Sequence, residues 1–303
     1  MVRPVEGPTT VTESLDPARA DAVRAAMEDM GWRFDARPPE HAAWAARLPT
    51  VRAVMYASGK LVLQGKDAAL AAEEILGTAP RPAILGRAVK VPTAGSDEAG
   101  KGDFLGPLVV AAALVRPGQE ALLAEYGVRD SKSMGDREAA AVADLVRTTL
   151  PHAVVSVGPP RYDALRSEMG GNLNRLLAWA HGKALEELLA RPDASGAAAV
   201  VVDRFATGTT LRRALGPRAA ALPLEERPRA EDHPAVAAAS VLARDAFLAG
   251  LRRLGDEIGV PLAKGAGPPA DAAARRVLAK GGPALLARVA KMHFKNALKV
   301  GAR

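Results

Sequence analysis

Two adjacent carboxylates, Asp97 and Glu98, lie in the stretch GSDEAGKGDFLGPLVVAAALV, residues 95–115, among glycines at positions 95, 100 and 102. Glycine, four residues, then Gly-Lys-Gly nearly spells the phosphate-cradling loop G-x-x-x-x-G-K-[ST]. That loop needs a hydroxyl at its last position to reach magnesium and a helix after it. Here the last position is Gly102, and the run that follows reads as a strand. Asp97 and Glu98 would also meet a triphosphate with the wrong sign of charge. Hard divalent cations are better partners for such a pair, because carboxylate oxygens are their preferred ligands. Side chains of neighbours on an extended segment alternate faces, so both acids converge on one ion only where the strand bends or ends. An isolated Asp-Glu pair is ordinarily an exposed turn. Company makes this one a candidate site: Asp203 closes the apolar run AAAVVVDRF, and Glu231 and Asp232 stand in RAEDHPAVAAAS, just before a helix. A strand that buries its residues and ends on a carboxylate delivers it to the sheet edge, where sites lie in α/β folds.

The elements that must position these acids follow from periodicity. DPARADAVRAAMEDMG reads as a helix, with Ala22, Val23, Ala26 and Met27 at helical spacing, Asp16 as its cap and Gly31 as its stop. WRFDAR alternates as a strand, and residues 51–65, VRAVMYASGKLVLQG, give two more strands hinged at Ser58-Gly59-Lys60. Lys66 to Leu76 reads as a second amphipathic helix, and GTAPRPAILGR as a linker. The expected organisation is a flexible leader (1–14), a small α+β domain (15–78), a linker (79–92) and a larger α/β domain (93–303) with a basic C-terminal helical segment. Within the larger domain LVVAAALV, AVVSVG and AAAVVVDRF are strands. NLNRLLAWAHGKALEELLA carries a leucine stripe at helical spacing, and PAVAAASVLARDAFLAGL is a helix with a face small enough to lie close to a sheet. His181, on the first of these helices, and His293, in KMHFKN, are expected to be partly buried structural histidines, and Trp44 and Trp179 to be core.

Composition removes several chemistries. The 303 residues include no cysteine, so disulfides and thiolate metal sites are excluded and any metal rests on carboxylate or imidazole. No run is both apolar and uncharged over the roughly 18 residues a membrane span needs, and a cytoplasmic protein is expected. The net charge is +7, and residues 271–303, with eight basic residues and one acid, carry all of it. Such a segment is a solvated face or a polyanion-binding surface, and charge alone leaves both open.

Six blocks in order, GSDEAGKGDFLGPLVVAAALV, GVRDSKSMGDRE, NLNRLLAWAHGKALEELL, VVVDRFA, RAEDHPAVAAASVLAR and AKMHFKN, resemble the prokaryotic type 2 ribonucleases H. The Gly-Lys-Gly motif, together with an N-terminal unit containing YASGKLVLQG, is similar to the ribonuclease HIII branch. The resemblance implies a ribonuclease H fold with a central mixed sheet flanked by helices, preceded by a small TATA-binding-protein-like α+β domain. It also implies hydrolysis of the RNA strand of RNA–DNA hybrids with two divalent cations, Mg²⁺ or Mn²⁺, leaving 5′-phosphate and 3′-hydroxyl ends.

Carried over by position, the metal-binding catalytic acids would be Asp97, Glu98, Asp203 and a fourth, Glu231, with Asp232 as the alternative because the spacing to AAAS is one residue short of the common form. Gly100, Lys101 and Gly102 would lay backbone against the RNA 2′-hydroxyls, and Ser131 and Lys132 of the Asp130-Ser131-Lys132 block would approach phosphate. Tyr56, Lys60, Gln64 and Lys66 of the N-terminal unit, and Lys291 and Lys295 near the C-terminus, are the other expected substrate contacts. Residues 1–90 carry a net charge of only +1, so the N-terminal unit would act through shape and a few contacts. A monomer with no obligate protein partner and no membrane association is expected. Two other readings remain: cleavage at single ribonucleotides embedded in DNA, as in the ribonuclease HII branch, and a non-catalytic hybrid-binding protein.

Overall fold

The computed structural model describes residues 10–15, 20–68, 71–72, 75, 88–129, 131, 134–205, 209–228 and 230–302. Residues 1–9 of the expected leader, the Asp16 cap, residues 79–87 of the expected linker, Asp130 and Lys132 lie outside them. The chain divides into two compact units, Met1–Pro82 and Ala83–Arg303.

In the first unit, β1 (Thr10–Ser14), α1 (Ala20–Asp29), β2 (Arg33–Phe34), β3 (Ala42–Leu48), β4 (Val51–Tyr56) and β5 (Lys60–Gly65) build an antiparallel sheet in the order β1-β5-β4-β3-β2. Residues 10–14 therefore do not belong to a flexible leader: they pair with β5, Thr10 opposite Gln64 and Ser14 opposite Lys60, and close one edge of the sheet. Alternation puts Ala53, Met55, Leu61 and Leu63 against Val23 and Met27 of α1, with Trp44 beside them in the same core. Of the expected second helix, Lys66 and Asp67 form a turn, and the other described residues, 68, 71, 72 and 75, are helical and pack on that core. The other sheet face is polar, with Arg52, Lys60 and Gln64 exposed on it.

The second unit is built on β6 (Thr93–Ala99), β7 (Leu108–Val115), β8 (His152–Val157), β9 (Ala199–Asp203) and β10 (Leu224–Arg227), in the order β10-β9-β6-β7-β8. β10, β9 and β6 run parallel, and β7 and β8 continue antiparallel, giving a mixed sheet. Its longer helices are α2 (Asp136–Thr149), α3 (Pro159–Glu168), α4 (Leu173–Leu189), α5 (Pro234–Ile258) and α6 (Pro268–Val289), and the short α7 (Lys295–Lys299) follows. All eight residues of β7 are buried, because both sheet faces are covered. Val109, Ala111 and Ala113 meet the α5 side, while Val110, Ala112 and Leu114 meet the α4 side. This explains why LVVAAALV is continuously apolar rather than alternating.

α5 lies across β6 and β7, where its alanines keep the contact close. At Gly95 a Cβ would stand 2.5 Å from the Ala235 carbonyl carbon and 2.6 Å from the Val236 nitrogen. The glycine thus serves the close approach of strand and helix rather than a bend. α5 is long and apolar enough by length and composition to cross a membrane, but it carries Arg244 and Asp245 and so is not the uncharged run that the sequence was found to lack. It is apolar because it is the central core helix, buried from Pro234 through Ala243 without interruption.

Candidate active site

β6 and β9 run side by side, Ser96 opposite Val202, and both end at the same sheet edge. The two acids of β6 do not converge through a bend; they obey strand alternation. Asp97 takes a hydrogen bond from Ser240 on α5, whereas Glu98 turns to the other face and meets His181 on α4. Asp203, one step beyond the last β6–β9 pair, shares the α5 face with Asp97, and its Oδ1 accepts from the Ala230 amide at 3.3 Å. Asp97, Glu98 and Asp203 line one cleft of about 400 Å³, together with Gly100, Lys101 and Gly102. Among the described residues no three carboxylate or imidazole groups already form a finished coordination shell. The acids border a common space.

The electrostatics differ sharply between the neighbours. Burial, and then the charge of Glu98, raise Asp97 to about 7. Burial also works to raise Glu98, but the hydrogen bond and charge of His181, followed by Lys101, overcome it and bring Glu98 down to about 2. His181 is buried; its Nε2 lies 3.1 Å from Glu98 Oε2, its Nδ1 lies 2.8 Å from Ser96 Oγ, and its ring stacks on Phe205. The ring thus bridges the Ser96 hydroxyl and the Glu98 carboxylate, with Nε2–H donating to the latter. Lys101 Nζ donates to Glu98 Oε1 at 2.6 Å. An acid held partly protonated beside one held ionised is a site short of positive charge, which fits the hard-cation reading of the pair.

The glycine loop is shaped from within. Gly100 has φ +86°, and a Cβ there would lie 2.2 Å from the Pro107 carbonyl oxygen, so only glycine fits. Gly102 is the opposite case: a Cβ would meet nothing of the chain within 4 Å, and the residue is exposed in the cleft wall. Internal packing gives no reason for glycine there.

Ser131 lines the cleft, its Oγ 2.8 Å from Ser240 Oγ. Neither Glu231 nor Asp232 lines it. Asp232 is exposed and paired with Arg227, whereas Glu231 is half-buried and next in sequence to the Ala230 amide that binds Asp203. Lys291 is not a surface contact. It is fully buried, with Nζ donating to main-chain oxygens, so the expectation that it meets substrate is wrong: no face of it is open to phosphate. Lys295 is exposed at the start of α7, and Lys299 is paired with the buried Asp271. In the N-terminal unit Lys60, Gln64 and Lys66 are exposed and Tyr56 is half-buried.

Sequence reasoning missed several side chains. His181, assigned only a structural role, touches Glu98. Arg244 and Lys264 also line the cleft, and both donate to Asp136, at 2.7 Å and 2.6 Å. Arg244 stands one helical turn after Ser240, a spacing that could have been read from SVLAR. Arg47 and Arg52, opposite one another on β3 and β4 and both bound to Asp35, were missed although alternation in VRAVMY puts Arg52 on the face of Tyr56.

Residues 94–297 match the family model described as Ribonuclease HII. The chain is 36% identical over 288 residues to a Ribonuclease HIII of Protochlamydia amoebophila, covering 93% of this chain and 94% of the relative. It is 38% identical over 268 residues to one of Chlamydia pneumoniae, covering 85% and 87%. Among solved structures it is similar to Bst-RNase HIII in complex with Mn²⁺, with 31% identity, a TM-score of 0.66 and coverage of 96% of this chain and 97% of that one.

Proposed function

The chain belongs to the ribonuclease HIII branch of the ribonuclease HII family, and from that premise we propose that it is an endoribonuclease that hydrolyses the RNA strand of RNA–DNA hybrids in a divalent-metal-dependent reaction. The observation that carries this reading is the cleft at the ends of β6 and β9, where Asp97, Glu98 and Asp203 share a wall with a glycine loop. The donors suit Mg²⁺ or Mn²⁺: they are carboxylates, and burial, followed by the charge of Glu98, has lifted Asp97 to about 7. Asp97, Glu98 and Asp203 would hold two such ions. Glu231 is the better fourth ligand, because Asp232 is engaged by Arg227. Bound there, the ions would supply an activated water, neutralise charge on the phosphate and stabilise the leaving 3′ oxygen. Products with 5′-phosphate and 3′-hydroxyl ends follow from that displacement.

The chain's own groups do the rest. His181 orients Glu98 and keeps it ionised. The exposed, unpacked Gly102 offers bare backbone to a ribose, where the 2′-hydroxyl distinguishes RNA from DNA. Lys101 and Ser131 line the same cleft and would steady the scissile strand, and Lys132 would reach phosphate as a positioning contact. Lys60, Gln64, Lys66 and Tyr56 would contact hybrid from the N-terminal unit, and Lys295 from the C-terminal segment. A monomer acting in the cytoplasm is the setting this reading assumes.

The test offers four substrates to the full chain in Mn²⁺, Mg²⁺ or EDTA: an RNA–DNA hybrid, a DNA duplex, an RNA duplex, and DNA carrying one ribonucleotide. Cleavage of the hybrid's RNA strand, abolished by EDTA and poor at the single ribonucleotide, is expected. Preferential cutting at the single ribonucleotide would favour the ribonuclease HII-like reading, and binding without hydrolysis would make the protein a binder.

A further inference from the structure

Lys291 is a fully buried lysine, a placement that is rare because an ammonium loses its hydration there. Its Nζ donates to the carbonyl oxygens of Asp103, at 2.8 Å, and Gly106, at 2.7 Å, and lies over the ring of Tyr162, 5.7 Å from its centroid. Both carbonyls belong to the turn that brings the glycine loop from the end of β6 back into β7. The main chain around Lys291 grips the same turn: its own N–H donates to Phe104 O at 2.9 Å, Gly106 N–H donates to Val289 O at 2.9 Å, and Leu105 bridges Ala290. Asp103 is held from a third side, because its carboxylate accepts from the Gly265 amide.

A methionine or leucine would fill the same volume without burying charge. What lysine adds is donors, aimed at two main-chain carbonyls of the turn. Burial pushes the Lys291 ammonium down to about 7, with the charges of Asp103 and Asp163 opposing the shift, which is the sign of a group kept in place at a cost.

We propose that Lys291 is a positioning residue: it clamps the Asp103–Gly106 turn from the C-terminal segment and thereby sets where Lys101 and Gly102 stand in the cleft. The role in substrate binding rests on the function proposed above, whereas the clamp itself does not. Lys291 touches none of the acids, so its loss acts first on hybrid recognition and reaches divalent-ion binding only through Lys101, which pairs with Glu98.

The experiment compares wild type, Lys291→Met and Lys291→Gln by amide hydrogen exchange, Mn²⁺ titration calorimetry and steady-state hybrid cleavage. In Lys291→Met the amides of residues 102–106 exchange about tenfold faster or more, as expected for the loss of charge-assisted hydrogen bonds, while those of α5 do not change. Mn²⁺ affinity changes less than KM for hybrid, which rises about tenfold with a smaller change in kcat. Lys291→Gln, which keeps a donor, falls between the two and serves alone should the methionine variant not fold. Unchanged loop exchange in a folded variant overturns the clamp. Faster loop exchange with an unchanged KM overturns the positioning role. A wild type that cleaves no hybrid sinks the proposed function but leaves the exchange result to decide the clamp.

Discussion

Gly95→Ala is the substitution with the most to say about how the fold holds the acids. The added Cβ would sit 2.5 Å from the Ala235 carbonyl carbon, 2.6 Å from the Val236 nitrogen and 2.8 Å from the Ala235 Cβ. Two of these are backbone atoms in the first turn of α5, which no rotamer change can move. Carbon contacts relax at about 3.5 Å, so strand and helix must part by about 1 Å. β6 is hydrogen-bonded to β7 on one side and β9 on the other, so it cannot retreat freely. Overpacking of this kind costs about 1–3 kcal/mol, and each kcal/mol lowers Tm by roughly 2–4 °C in a unit of this size. Asp97 is two residues on, on the same face, and held by Ser240 of the displaced helix. A shift of about 1 Å exceeds the roughly 0.5 Å tolerance of a working site and lowers kcat on the order of 100-fold. Thermal unfolding and single-turnover hybrid cleavage in Mn²⁺ measure both effects. A Gly95→Ala protein with wild-type Tm and wild-type rate would refute the claim that this contact sets the position of Asp97.

Three further outcomes follow from the same geometry. Gly102→Ala, which meets nothing of the chain within 4 Å, leaves Tm unchanged but raises KM for hybrid by about tenfold; an unchanged KM would show that no ribose approaches that backbone. His181→Ala weakens Mn²⁺ binding by about 10- to 100-fold in calorimetry, as expected for loss of a group that orients a ligating carboxylate, and equal affinity would return His181 to a purely structural role. Asp271 is buried and takes hydrogen bonds from Lys299 and Asn296, which hold its carboxyl below the usual range. A depressed carboxylate stabilises the fold above its unfolded pKa and loses that contribution as pH falls through the folded one. Asp271→Asn is therefore less stable than wild type at neutral pH, and the gap closes as pH drops below about 4; a gap independent of pH would mean the ionised pair contributes nothing.

Much of the frame was legible because period alone dictates it. LVVAAALV and AAAVVVDRF could be little other than buried strands, and the latter's abrupt end on Asp203 announced a sheet-edge acid. The acid pair and the glycine loop were legible as chemistry before any geometry was known. What stayed hidden depends on contacts between residues far apart in sequence. His181 looks like any histidine on an apolar helix until the fold brings it to Glu98, 83 positions away. Lys291 reads as one more charge in a basic segment, since sequence cannot say that its ammonium turns inward onto carbonyls. Gly95 resembles a hinge, and only the alanine-lined approach of α5 reveals it as a packing position. Arg47 and Arg52 become neighbours only once the register of β3 on β4 is fixed.

The central claim is that Asp97 anchors a divalent-metal site that hydrolyses RNA in a hybrid. Its most direct measurement is cleavage of a labelled RNA–DNA hybrid, with Mn²⁺ and with EDTA, by wild type and by Asp97→Asn of matched thermal stability. Cleavage of the RNA strand by wild type in Mn²⁺ alone, falling to background in Asp97→Asn, is the predicted result. No wild-type cleavage, or equal cleavage by both proteins, would contradict it.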